Sequence, residues 1–188
     1  MKIFLIQTGQ TVWEADSRIE LPAGSSLTES GARSAETVAG ELATAGIKAI
    51  YTCPSEAAQQ TARVITQALH VKVHTDEAMG ELDYGLWQGL TVGEIKRRQP
   101  KLYKQWIDDP TTTCPPSGET IQDAQSRLKG RIANIARKPK NTPAALVLRP
   151  VAVGLLRCLF GGVALEQLWQ HVDKSFTWAG FEIDVDRL

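Results

Sequence analysis

Apolar residues run without a break through Ile3-Phe4-Leu5-Ile6 and again through Ala144-Ala145-Leu146-Val147-Leu148. A strand that is apolar at every position, not at every second one, is a strand covered on both faces. Two shorter, partly β-branched stretches, Ile47 to Thr52 and Val71 to His74, predict further strands. Helical spacing fills the intervals. Ala32, Ala35, Val38, Ala39 and Leu42 follow Thr28, a good capping residue, and Gly46 stands where that helix should stop. Ala58, Ala62, Ile65 and Leu69 make a second apolar face, with Pro54 suited to its first turn. Ile121, Ala124, Leu128, Ile132 and Ile135 make a longer third, introduced by Ser117 or Gly118. After Pro139 and Pro143 and the second apolar strand, Val151, Leu155 and Leu159 predict a last long helix before Gly161-Gly162.

Strands alternating with helices predict an α/β fold, a three-layer α/β/α sandwich with a mainly parallel sheet, and an alternating stretch within Phe176 to Val185 suits one or two final edge strands. The size fits a single domain over residues 1–188. Residues 75–118 fit the alternation poorly, with two short helical stretches, 92 to 99 and 101 to 108, divided by Pro100, and are expected to form a cap over the sheet's carboxyl edge. Residues 12 to 27 read as a long loop that Trp13, Ile19 and Leu21 can pin. Ligands of open α/β sheets bind beyond the carboxyl ends of the strands, so the turn Gln7-Thr8-Gly9-Gln10-Thr11 is the first place to look for chemistry. It is uncharged.

Composition narrows the partners. The chain carries 21 basic and 21 acidic residues, so no global field recommends nucleic acid or an anionic membrane. The densest basic run, Lys96-Arg97-Arg98 with Lys101 and Lys104, has Glu94, Asp108 and Asp109 beside it and reads as a solvated helix face. Cys53, Cys114 and Cys158 are odd in number and widely spaced, which predicts reduced thiols and no zinc set. None has an arginine six residues later, where a cysteine phosphatase needs one: Gln59, Thr120 and Ala164 occupy those positions. His70, His74 and His171 suit capping or surface roles, and Glu81 with Asp83 a loop hydrogen-bond role, because two acids without further ligands do not make a metal site. Trp13 and Trp87 suit either a pocket wall or core packing of the two loops. The polar N-terminus and the lack of a long apolar run predict a soluble, cytoplasmic protein.

Several separated segments resemble one family. Residues 3 to 11 are similar to the first strand and Arg-His-Gly-Glu-Thr motif of the histidine phosphatase superfamily, the phosphoglycerate mutase-like fold, and Leu27-Thr28-x-x-Gly31 resembles its first helix. Residues 50 to 62 resemble its second strand and the Arg-Ala-x-Gln-Thr-Ala helix start. Glu81 to Thr91 is similar to its acid-bearing loop, Pro116 to Thr120 to its Gly-Glu-Ser helix start, and residues 145 to 157 to the late strand and helix that carry a second His.

That resemblance implies a mechanism whose parts are mostly missing here. A His would take up the phosphoryl group, two Arg and a second His would hold its oxygens, and a Glu would protonate the leaving group. The first Arg and the nucleophile fall on Gln7 and Thr8, the second Arg on Ala57, and the second His on Arg149, followed by Pro150 in place of Gly. Glu81 alone keeps its residue type. A threonine hydroxyl is a poor nucleophile without an adjacent base, and each charge-assisted hydrogen bond lost with an Arg is worth about 1.5–3 kcal/mol. The expectation is therefore a catalytically silent relative with a binding or regulatory role. An enzyme of altered chemistry, or an anion sensor built on Arg149 and the turn's N–H groups, is the alternative. The expected ligand-binding set is Thr8, Gly9, Gln10, Glu81 and Arg149, with no cofactor or metal and an unidentified protein or small molecule as partner. Arg149, ending a buried strand, needs a counter-charge, and Glu81 is the expected one.

Overall fold

The computed structural model describes residues 1–137, 142–173 and 177–184. Its sheet has five strands, β1 (Lys2–Gln7), β2 (Ala49–Thr52), β3 (Lys72–Thr75), β4 (Ala144–Leu148) and β5 (Trp178–Glu182), in the spatial order β3-β2-β4-β1-β5. The first four run parallel, and β5 closes the β1 edge antiparallel. The tail thus supplies one edge strand; Pro139, Phe176 and Val185 lie outside the described residues.

Both uninterrupted apolar strands lie at the centre. Ile3 and Leu5 of β1 join one apolar cluster while Phe4 and Ile6 join another, and Leu146 and Leu148 of β4 likewise oppose Ala145 and Val147. The four residues of β1 are between 0% and 3% exposed, and burying each such side chain stabilises the fold by roughly 1.5–3 kcal/mol as an upper estimate. On one face lie α2 (Glu29–Glu41) and α3 (Glu56–Leu69), through Val38, Leu42 and Ile65; on the other lie α6 (Ile121–Ala136) and α7 (Pro150–Gly161), through Leu128, Ile132 and Leu155. This is the expected three-layer sandwich.

Two helix starts differ from expectation, one of them through capping. α3 begins at Glu56 behind Ser55, so Pro54 precedes the helix, and α6 begins at Ile121 behind Thr120, whose hydroxyl accepts a hydrogen bond from the Asp123 N–H, so neither Ser117 nor Gly118 is its cap. A short helix α1 (Val12–Ala15) stands inside the long first loop, formed by a capping box: Thr11 Oγ1 accepts from the Glu14 N–H and the Glu14 carboxylate accepts from the Thr11 N–H. Ile19 packs on the core, whereas Leu21 is 44% exposed.

The segment between β3 and α6 holds α4 (Val92–Arg98), α5 (Pro100–Asp108) and two single turns of 3-10 helix, Glu77–Met79 and Gly85–Trp87. Ile95, Trp106 and Trp87 belong to the cluster on the α6–α7 face, and Trp106 meets Trp87 edge-on at 6.2 Å and Trp169 at 5.1 Å. Trp87 is therefore core. The remaining helix, α8 (Leu168–His171), packs on α7. Among the described residues no helix is long and apolar enough to cross a membrane.

Candidate functional site

A cavity of about 840 Å³ lies past the ends of β2 and β4, lined by Cys53 to Ser55, Arg149, the loop Glu20 to Ala23, and residues of the 77–88 segment. Gly118, Glu119 and Arg127 complete its wall. The segment expected to cap the carboxyl edge supplies Glu77, Gly80 to Tyr84 and Gln88.

The turn after β1 does not line this space. Its frame is held by backbone contact: Thr8 N–H donates to the Leu148 carbonyl at 2.9 Å and Gly9 N–H to Thr61 Oγ1 at 3.2 Å. A Cβ on Gly9 would sit 2.2 Å from the Gly31 carbonyl oxygen, so only glycine allows the turn to reach α2. Gln7 is buried and its Nε2 donates to the Asp173 carbonyl at 3.2 Å. Gln10 faces outward among Thr28 and Ser30, and Ala57 is fully buried in the first turn of α3. Of the seven sequence-designated positions, the cavity wall contains Glu81 and Arg149 and lacks Gln7, Thr8, Gly9, Gln10 and Ala57. The Thr8 hydroxyl is buried without a hydrogen-bond partner; the register that pairs Gln7 with Leu148 puts Thr8 and Arg149 at the ends of adjacent strands.

Arg149 is 4% exposed. Its Nη2 lies 2.9 Å from Glu14 Oε1 and 3.6 Å from Glu20 Oε1, and neither partner is Glu81. The expected Arg149–Glu81 ion pair is thus replaced by one with the first loop. Geometry favours the replacement, because the capping box fixes the Glu14 carboxylate, and Thr11 and Ser25 donate to Glu20 Oε1. The signal for Glu14 was present as Thr11-x-x-Glu14, the capping-box spacing; nothing in the local sequence marks Glu20.

Glu81 does something else. Helix α7 starts behind Arg149 with no side-chain cap, and Pro150 at its first position has no N–H to satisfy. The next two amides, Val151 and Ala152, donate to Glu81 Oε2 and Oε1 at 2.9 Å each, and Leu82 N–H donates to Oε1 at 2.8 Å. A carboxylate from a distant loop caps this helix, where the free N–H groups and the dipole favour an anion. Burial nevertheless pushes the Glu81 carboxyl above its ordinary value, against the lowering effects of Arg149 and the three N–H donors.

The folded state therefore holds the Glu81 proton more tightly than the unfolded chain does. This group favours folding below the ordinary value of 4.5, and that contribution is lost as pH rises from there through the raised folded value. Measured by urea unfolding, the stability of the wild type relative to Glu81→Gln is expected to fall as pH climbs above the ordinary carboxyl value. A relative stability that rises over the same interval would contradict the assignment.

Neighbouring groups are structural. Tyr84 is held well above its ordinary range by burial and then by Glu81, so its hydroxyl stays protonated. Arg127, which no motif marked, donates to both Glu119 oxygens at 2.9 and 2.7 Å and to the carbonyls of Ala78, Gly80 and Glu81, tying the acid-bearing loop to α6. Asp83 accepts from Gly85 N–H and Gln88 Nε2, the expected loop role. Cys53 is a buried thiol 3.2 Å from Ser55 Oγ; burial pushes the Cys158 thiol up. His70 terminates α3 in a left-handed conformation, His74 stacks on Tyr51 at 5.0 Å, and the His171 carbonyl accepts from Arg157. Among the described residues no group of three or more His, Cys, Asp or Glu side chains is placed to hold a metal ion.

The profile of the histidine phosphatase superfamily, branch 1, matches residues 3–186. The chain belongs to that superfamily. Among its relatives, phosphoserine phosphatase 1 of Hydrogenobacter thermophilus is 25% identical over 90% of this chain and 80% of its own length. A probable phosphoglycerate mutase GpmB of Yersinia enterocolitica is 30% identical over 86% of this chain and 75% of its own. The solved structure of Bacillus stearothermophilus YhfR superposes with a TM-score of 0.91 at 25% identity, covering 97% of this chain and 91% of that one.

Proposed function

We propose that this protein is a catalytically silent histidine phosphatase relative whose cavity serves binding, in a regulatory or partner-sensing role. The observation that carries the reading is the state of Arg149. Arg149, at the end of the strand paired with β1, is engaged by Glu14 and lies within ion-pair distance of Glu20, so its charge is already met from within the chain. Thr8 in the nucleophile position has no imidazole beside it, and Glu81, the position of the proton donor, has both oxygens occupied by backbone N–H groups. A phosphate dianion placed there would face carboxylates. The same arrangement weighs against the anion-sensor alternative, which requires an available Arg149, and against an enzyme using Thr8 as nucleophile, which requires a base.

The test is direct. Purified protein is expected to release no nitrophenol from p-nitrophenyl phosphate above the buffer rate and to yield no phosphoprotein after incubation with a phosphoryl donor. Turnover that copurifies with the protein and is lost in Thr8→Val would overturn the reading.

A further inference from the structure

Most charged side chains of the cavity wall are already spent on one another or on backbone. Glu119 is bonded through both oxygens to Arg127, and Glu81 accepts from three N–H groups. Arg149 answers Glu14 and Glu20, and Asp83 accepts from Gly85 N–H and Gln88 Nε2 through one oxygen. Among the described residues, the Glu77 carboxylate and the second Asp83 oxygen are left over, both on exposed residues. A ligand cation would meet only those, and ion pairs at exposed positions contribute little. A ligand anion would find no available guanidinium and five carboxylates around it, those of Glu20, Glu77, Glu81, Asp83 and Glu119. Neither full charge is well served.

The uncharged part of the wall is better equipped. Leu21, Pro22, Ala23, Pro54 and Leu82 give it an apolar lining, and its volume of about 840 Å³ lies within the roughly 300–1,000 Å³ of small-molecule sites. Two half-buried residues, Tyr84 and Gln88, bracket the 3-10 turn Gly85–Trp87 and line the same space. Among the described residues the Tyr84 hydroxyl has no hydrogen-bond partner, and Gln88 spends its Nε2 on Asp83, which leaves Oε1 unused. Neither atom is sealed from solvent as Thr8 Oγ1 and Gln7 Oε1 are. Burial and the neighbouring Glu81 keep the phenol protonated, so Tyr84 offers a donor and Gln88 an acceptor.

We propose, resting on the silent-relative reading above, that the cavity binds an uncharged organic molecule with a ring-sized apolar body and a carboxamide group. The carboxamide carbonyl accepts from the Tyr84 hydroxyl, its N–H donates to Gln88 Oε1, and the ring lies against Leu82 and the two prolines. A polyol would leave the apolar lining bare. A pure hydrocarbon would strip water from Tyr84 and Gln88 and give them no partner in return.

Benzamide, benzamidine and benzoate share a ring and a shape and are neutral, cationic and anionic in turn, so chemical-shift titration of the wild-type chain with each tests the assignment. A fragment of about nine non-hydrogen atoms is expected to bind in the millimolar range. Benzamide is expected to bind at least about threefold more tightly than either ion, to move the amides of Leu82 to Gln88, and to hold its affinity as salt is added. Tyr84→Phe, which keeps the ring, is expected to weaken it about three- to tenfold. Gln88→Met serves as the second variant if Tyr84→Phe is poorly folded. Benzamidine or benzoate binding as tightly as benzamide overturns the proposal, as does no binding of benzamide, or an affinity indifferent to both substitutions. The p-nitrophenyl phosphate assay on the same sample separates the two failures. Turnover removes the silent-relative reading, whereas no turnover and no preference for benzamide removes this inference alone.

Discussion

Arg149→Met is expected to destabilise the protein by about 3–5 kcal/mol, the usual cost of removing one partner from a buried ion pair. The buried guanidinium holds the Glu14 carboxylate at 2.9 Å and has Glu20 within 3.6 Å. Without it, two partly or wholly buried carboxylates face each other in an already acidic cavity. In a chain of this size each kcal/mol corresponds to about 2–4 °C of melting temperature, so the loss is readily seen by calorimetry. The double-mutant logic identifies the cause. On a Glu14→Gln, Glu20→Gln background the same Arg149→Met change is expected to cost much less, because the charges it abandons are gone. A loss of under about 1 kcal/mol in the wild-type background, or an equal loss in both backgrounds, would mean that the cluster contributes little electrostatic stabilisation.

Glu81→Ala is expected to cost about 2–5 kcal/mol, from two or more buried N–H groups left unmet at about 1–3 kcal/mol each, offset in part by the burial penalty that raises the carboxyl's pKa. Val151 and Ala152 would lose their acceptors at the start of α7, whose body is core: Val153, Leu155 and Leu156 are fully buried. Hydrogen exchange should locate the damage, with the Val151 and Ala152 amides losing protection ahead of those in β4. Glu81→Gln retains one acceptor oxygen and should cost less. If Glu81→Ala proves neutral or stabilising, the desolvation of the carboxylate outweighs its capping, and its retention at this position has no stability rationale.

Much of the architecture was readable because it rests on local periodicity. Ala144–Leu148 coincides with the predicted strand to the residue, and the apolar faces of α2, α3, α6 and α7 point where their spacing says. The errors fall at helix starts: Thr120, not Ser117, caps α6, and α3 begins two residues after Pro54 with no side-chain cap, since the backbone angles that start a helix are not specified by composition. The cavity was less legible. Motif positions identified Glu81 and Arg149, but the partners of each came from elsewhere: Glu14 and Glu20 from the first loop, Val151 and Ala152 from a helix start, Glu119 for Arg127.

Residue order alone carried the α/β class and the burial of β1 and β4 on both faces, and the resemblance it bears to the superfamily supplied the correspondence of the Gln7-Thr8-Gly9 turn. The class and the buried strands follow from residue type and short spacing, which need no long-range information. The three-dimensional packing decided which acid neutralises Arg149, that Glu81 caps α7 instead of pairing with it, that five of the seven designated positions stand outside the cavity wall, and that the wall itself is acidic. Coulomb attraction and hydrogen bonding act over a few ångströms in space, whatever the separation along the chain, and Arg149 meets Glu14 across 135 residues.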